Sequence, residues 1–287
     1  MSGLTKTGIP YLDAVWNPIT GCSPAGDGCR NCYAARLAAT RLKHQPKYAG
    51  LACETSVFGC QRTYQWTGEV RFHPELLDAP LHARKPRVIG VCFMGDVCHA
   101  ETTYTQRSQV YDIIDRCPHH RFVVLTKRPE ILHDDMVHII GDGPVIPNLI
   151  LGTSVWDQAS ADRNIPHLLA TPAACRVVSL EPMLGAVSLD NICTSGERSG
   201  TGQADFMNAL SLEEWTEAEA RAEFGENFLP TLDLVICGPE TGPGARPFDP
   251  QWAVDVKAQC DAAGVPYYDK RESHAHWRDL PEVMQHD

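Results

Sequence analysis

The sequence predicts an α/β fold, an incomplete (β/α) TIM-like barrel of six to seven parallel strands, as a single domain over residues 1–287. Three observations predict it. Short apolar runs rich in β-branched residues recur along the chain. Polar, Gly or Pro residues follow each run, and segments of helical periodicity stand between them. Runs this apolar suit parallel strands buried on both faces, and strand–helix alternation is the pattern of βαβ units.

In chain order the strands are read at residues 14–20, 88–94 (VIGVCFM), 121–126 (RFVVLT), 149–155 (LILGTSV), 176–181 (RVVSLE), 232–238 (LDLVICG) and 265–268. Helices are read at 29–42, 105–116, 157–169 and 250–263. In the second of these, Val110, Ile113 and Ile114 form one apolar stripe. The last stops before Gly264, the residue type that most easily leaves a helix. Two insertions interrupt the rhythm. A cysteine-bearing stretch at about 48–74 is expected to carry a hairpin around WTGEV. The other, at about 190–230, is acidic: from 194 to 230 it has eight acidic residues against two basic ones. That balance makes a solvated surface, packed on the body through Leu210, Trp215 and Phe224.

Charge narrows the function classes. With 25 Lys+Arg against 36 Asp+Glu the net charge is −11, which argues against wrapping duplex DNA through an extended phosphate contact. Only a local cleft is left for a nucleic acid or nucleotide. No run of 18 apolar residues is present, so no membrane span is expected. The start, MSGLTKTGIPYLDAVW, lacks a basic region followed by an apolar stretch, so a cytoplasmic protein is expected. There are 12 cysteines, and in a reducing compartment metal or cluster binding is a better default for them than disulfides. Most, such as Cys92 and Cys237 within apolar runs, read as small buried hydrophobes.

Cys22, Cys29 and Cys32 are different. They lie in WNPITGCSPAGDGCRNCYAARL, spaced C-x6-C-x2-C, between a strand end and a helix start. Thiolates are soft ligands that select Zn, Cu(I) or iron–sulfur clusters. Gly21, Gly26 and Gly28 let the chain curl around a bulky centre. A helix beginning after Cys29 is expected to lower the thiol pKa values. Two centres fit the spacing: a zinc ion closed by Cys53, Cys60 or His44, or a cubane cluster that keeps one iron open. The loop follows the first barrel strand, where barrel active sites lie, and that place favours the open centre.

Residues just after the other strands would face the same mouth. Gly95 offers close backbone approach and Asp96 a carboxylate for an ammonium group. Lys127 and Arg128 are placed to hold a carboxylate or phosphate. Ser154 is a candidate hydrogen-bonding partner for ribose, and Trp156 a stacking platform. Glu181 ends an apolar strand, where a carboxylate needs a partner or a ligand; Arg246 or Lys127 would supply the partner. Gly238 and Glu240 lie in the Gly-rich GPETGPGARPF, which lacks the P-loop pattern. Glu181 and His99 are the catalytic candidates, His99 for proton transfer beside Asp96.

The three-cysteine loop resembles that of radical S-adenosylmethionine (radical SAM) enzymes, which hold a [4Fe-4S] cluster after the first barrel strand. Their common spacing is C-x3-C-x2-C. The CYA ending is similar to spore photoproduct lyase and its relatives. A broader resemblance rests on WNPITGC, GCRNCYA, LTKRPE, IPNLILGTSV, ADRNIPHLL, TPAACRVVSLEPMLG and GPETGPGARPF, which in this order resemble an uncharacterised phage and prophage family of three-cysteine proteins. The ending VPYYDKRES departs from that family's FFKQWG-like ending.

The resemblance implies an iron–sulfur enzyme in the cytoplasm of a phage's host. Cys22, Cys29 and Cys32 would hold the cluster. Gly95, Asp96, Lys127, Arg128, Ser154, Glu181, Gly238 and Glu240 would surround S-adenosylmethionine, and an electron donor would start reductive cleavage and radical chemistry on an unidentified substrate. Two other readings stay open: a zinc-stabilised barrel that binds nucleic acid or protein, and a cluster protein for redox sensing.

Overall fold

The computed structural model describes residues 3–57, 61–194, 206–211 and 231–272. Its centre is an eight-stranded sheet. Strand β1 (Leu4–Lys6) pairs antiparallel with β2 (Ala14–Trp16). From β2 onward every pairing is parallel and follows chain order, through β7 (Val88–Val91), β8 (Arg121–Thr126), β9 (Leu149–Val155), β10 (Cys175–Leu180), β13 (Leu234–Cys237) and β14 (Tyr267–Asp269). The strand order never reverses, unlike that of a doubly wound sheet. Among the described residues no pairing closes β14 onto β1, so the sheet is open.

Among the described residues four helices connect the parallel strands: α2 (Tyr104–Asp115), α3 (Pro129–Ile140), α4 (Gln158–Leu169) and α5 (Pro250–Ala263). Thr103 and Asp157 cap α2 and α4 with full capping boxes, and Gly264, in the left-handed region, stops α5. Helix α3 was missing from the sequence reading. Its His and acidic residues dilute an apolar stripe of Leu132, Met136 and Ile140 at four-residue spacing, which the structure buries. A buried Arg107–Asp135 pair at 2.6 Å ties α2 to α3.

The two faces of the sheet bury different partners. Alternate residues such as Trp16, Ile89, Phe122, Leu151 and Val235 pack with the helices. The intervening set, including Val15, Val88, Val123, Ile150, Val177 and Ile236, packs with the 9–12 segment and, among the described residues, with no helix residue. This is period-2 alternation with both faces apolar, which is why the strands read as continuous apolar runs.

The connection 48–74 does carry a hairpin, but it is formed by β4 (Ala52–Val57) and β5 (Gln61–Trp66). WTGEV, where the turn was expected, instead links β5 to β6 (Arg71–Phe72), which pairs with β3 (Ile19–Thr20). In the 190–230 insertion, β11 (Ile192–Cys193) pairs with β12 (Phe206–Met207) and Leu210 is buried. Trp215 and Phe224 lie outside the described residues. Among the described residues no helix is long and apolar enough to cross a membrane.

Three buried histidines couple the fold to pH. Burial lowers the pKa of His73 and of His99, and it lowers that of His120 to about 4 with help from neighbouring His119. All three values lie below about 6.5, the unfolded value, so between the two the unfolded chain binds more protons. Stability is therefore intact above about pH 6.5 and falls on acidification, by about 1.4 kcal/mol per pH unit for each histidine that titrates only when unfolded. Urea unfolding at pH 7.5 and pH 5 is expected to show this loss. His120→Gln, whose amide nitrogen reaches the Nε2 position and keeps a donor for the Pro80 carbonyl, flattens the slope by about one proton. Equal stability at the two pH values would refute the assignment.

Candidate functional site

The three-cysteine loop crosses the C-terminal ends of the parallel strands. After β2, the Asn17 side chain accepts the Met94 N–H at 2.9 Å. Gly21 then forms a parallel bridge with Gly95. At this crossing Gly21 has φ +90°, and a Cβ would lie 2.1 Å from the Glu69 carbonyl; a Cβ on Gly95 would lie 2.8 Å from the Gly21 carbonyl. Only glycine fits there. Cys22 emerges buried beside the ends of β7 and β8. Cys29 ends a short 3-10 turn, Asp27–Cys29, and accepts the Ala25 N–H at 3.4 Å. Cys32 is the N-cap of helix α1 (Tyr33–Ala39), so the helix starts four residues later than expected.

Asp96 and Arg128 lie beneath the loop. Asp96 Oδ1 accepts from the Cys98 N–H at 3.0 Å and the Thr126 hydroxyl at 2.8 Å, while Oδ2 takes Arg128 Nη1 at 2.9 Å. Arg128 also donates to the Ser23 carbonyl at 2.8 Å and approaches Cys22 Sγ at 3.7 Å. Both residues were expected to receive a ligand; their hydrogen bonds go largely to each other and to the loop. Burial and the charge of Asp96 push the Cys22 thiol up to about 12, with Arg128 opposing. That is opposite to the lowering expected from a helix N-terminus. His99 is buried between two partners: Nδ1 accepts the Glu101 N–H at 3.1 Å, so Nε2–H donates to the Ser23 hydroxyl at 2.8 Å. Its proton is thus committed to holding the loop.

Two further contacts fix the far half of the loop. Trp156, at the end of β9, lies so close that a Cβ on Gly26 or Gly28 would sit 2.4 or 2.7 Å from its ring. Arg163 covers the ring at 5.4 Å. After β13, Glu240 takes Asn31 Nδ2 at 2.7 Å and pairs with Arg246, which also reaches the Asp27 carbonyl at 3.0 Å. Burial alone would raise the Glu240 pKa, but hydrogen bonds from Arg246 and Asn31 hold it below the usual carboxylate value.

Beside this loop the sheet face opposite α2–α5 ends in polar residues. Ser154 and Ser179 are register partners, and the Ser179 hydroxyl donates to Glu181 Oε2 at 2.9 Å. Glu181 pairs with Lys270 Nζ at 2.5 Å; its partner is therefore neither Arg246 nor Lys127. Gly238 packs against both, since a Cβ there would lie 3.1 Å from Glu181 Oε1 and 3.4 Å from Lys270 Cβ. Tyr11 is buried next to Glu181, and burial and that carboxylate raise its pKa. Lys127 is half-buried two residues beyond Leu125 on the same face, with no side-chain hydrogen bond or ion pair among the described residues. Lys270 and Tyr11 were missed by the sequence reading. The polar DKR after a short apolar strand was the available signal for Lys270; nothing local marks Tyr11.

Among the described residues no three His, Cys, Asp or Glu side chains converge as a cage for a single ion. Cys53 is exposed on β4, and His44 is exposed beyond α1. Cys60 lies outside the described residues. The donor set is thus three thiols on one loop, with one buried and two half-buried.

A family described as "Protein of unknown function (DUF5131)" matches residues 6–284. The chain belongs to this family. No curated protein and no solved structure matches it. The match takes in the loop, every parallel strand and the 48–74 hairpin.

The Trp156 seat is testable. Gly28→Ala is expected to cost about 1–3 kcal/mol by overpacking. Because the clash is with one side chain, combining it with Trp156→Leu recovers most of that increment, as read in urea unfolding. Additive losses in the double variant would place the strain elsewhere.

Proposed function

We propose that Cys22, Cys29 and Cys32 hold a [4Fe-4S] cluster with one open iron for S-adenosylmethionine, and that the chain is a radical-SAM-type enzyme built on an incomplete barrel. One observation carries the reading: the three-thiol loop is tied across the C-terminal ends of successive parallel strands, with a polar layer beside it. The barrel curvature is supported by the sheet face that buries its apolar residues against one another and, among the described residues, packs with no helix. The donor set fits the group. Three soft thiols with no closing fourth ligand among the described residues suit an open centre better than a closed structural zinc site.

When bound, the cluster and S-adenosylmethionine would supply one-electron chemistry that removes a hydrogen atom from a substrate. The protein's own residues bind, orient and exclude water. Arg128 offsets negative charge that collects at Cys22 on coordination. Trp156 and the Glu240–Arg246 pair fix the Cys29–Cys32 half of the loop. Glu181, Ser179, Lys270 and Ser154 orient hydroxyl and amino groups of the cofactor or substrate, and Lys127 is free to meet an anionic group. Below them Val123, Ile150 and Ile236 keep that end of the interior dry.

Anaerobic purification with iron, sulfide and zinc assays tests this. About four irons and four sulfides per chain are expected, lost in a Cys22→Ala/Cys29→Ala/Cys32→Ala variant. One zinc and no sulfide would end the radical reading in favour of a zinc-stabilised binding barrel. A cluster that leaves S-adenosylmethionine unbound would favour redox sensing.

A further inference from the structure

The chain's negative charge is unevenly spread. It averages one carboxylate per about eight residues (36 in 287), yet between Asp27 and Glu54 there is none. The same stretch holds Arg30, Arg36, Arg41, Lys43 and Lys47, together with His44. Arg30, Arg41, Lys43 and His44 are exposed. Arg30, Arg36, Arg41 and Lys43 form no ion pair with any carboxylate among the described residues, whereas Arg107, Arg128 and Arg246 all do.

Helix α1 points this patch toward the cysteine loop. It begins immediately after Cys32, and its buried side, Ala34, Ala35 and Ala38, packs on the hairpin cluster. Tyr33 and Arg36 are three residues apart and share the other side. Tyr33 is 43% exposed, with its hydroxyl donating to the Phe93 carbonyl at the end of β7 at 3.0 Å. The Arg36 guanidinium lies so near Gly242 that a Cβ there would sit 2.7 Å from Nη1. An exposed aromatic residue held at the strand ends, flanked in the chain by cations that are unpaired among the described residues, combines a stacking platform with phosphate contacts.

We infer that residues 30–47 form a binding surface for single-stranded nucleic acid, with Tyr33 stacking on a base next to the cysteine loop. Tyr33 favours a strand over a lipid surface or an acidic peptide, because a base has a π-face to stack and flexible single strands expose it. The surface stands independently of what the cysteines bind. That the bound strand is also the substrate rests on the function proposed above.

Fluorescence anisotropy with a labelled oligothymidylate of about 20 nucleotides tests the surface. The wild-type chain is expected to bind at 50 mM salt and to weaken about tenfold by 200 mM, as for a few phosphate contacts. Arg36→Glu/Arg41→Glu/Lys43→Glu is expected to weaken binding more than tenfold and flatten the salt dependence. Tyr33→Leu costs about fivefold or more without changing the salt slope, and Tyr33→Phe restores binding. Arg84→Glu/Lys85→Glu, exposed before β7 at the opposite end of the sheet, leaves it unchanged. Circular dichroism verifies that each variant is folded.

Three results would overturn the surface: no oligonucleotide binding at 50 mM salt, equal weakening by the Arg84/Lys85 variant, or capture of phosphatidylglycerol vesicles in place of the oligonucleotide. Iron content is measured on the same samples. Oligonucleotide binding by a chain that takes up no cluster would remove the proposed function and leave this surface standing.

Discussion

The buried pair of Asp96 and Arg128 is the constraint on which the site depends. Taking a carboxylate and a guanidinium out of water is costly, and the cost is offset only when both are well supplied with hydrogen bonds. Here the supply comes from separate elements: the Cys98 N–H after β7, the Thr126 hydroxyl at the end of β8, and the Ser23 carbonyl within the cysteine loop. Satisfying the two charges therefore requires two strand ends and the loop to be assembled together. The pair contributes little net stability over an apolar substitute, but losing one partner strands the other, at about 3–5 kcal/mol.

The parallel sheet explains why so many polar groups gather at one end. Parallel strands in chain order put all their C-terminal ends on the same side, and each ends in residues that leave the sheet's period-2 alternation. Lower down, Val123, Ile150 and Ile236 fill the face opposite α2–α5. At the top the same face continues with Ser154, Ser179 and Glu181. Stability and chemistry are thus separated along the strand: apolar layers hold the sheet, and polar ends carry the site. Gly21, Gly95, Gly26 and Gly28 are where backbone or indole approaches too closely for a Cβ, so the loop's path is set by absences of side chain as much as by contacts.

Much of this was legible before any coordinates. Residues 121–126 and 149–155 read as strands at their true bounds because both faces are apolar and their ends are marked by Lys-Arg-Pro and by Asp. Helix α5 was bounded by Pro250 and Gly264. The placement of Asp96, Arg128, Glu181 and Glu240 beside the cysteines followed from strand order. What was not legible was pairing. Asp96 with Arg128, Glu181 with Lys270 and Glu240 with Arg246 join residues 32, 89 and 6 positions apart, and only the last is local. Residues expected to wait for ligands are therefore partly committed to holding the site's frame. Helix α3 was hidden because charged and His residues interrupt its stripe. The hairpin was misplaced because Thr-Gly in WTGEV is as good a turn signal as the true one.

The central claim is that Asp96 and Arg128 act as one unit. A double-mutant cycle of Asp96→Asn, Arg128→Met and the pair, by urea unfolding, tests it most directly. Each single change is expected to cost about 3–5 kcal/mol, and the double change less than either, giving a coupling of about 3 kcal/mol or more. Costs that simply add would contradict the account, because Asp96 and Arg128 would then be holding the strand ends independently.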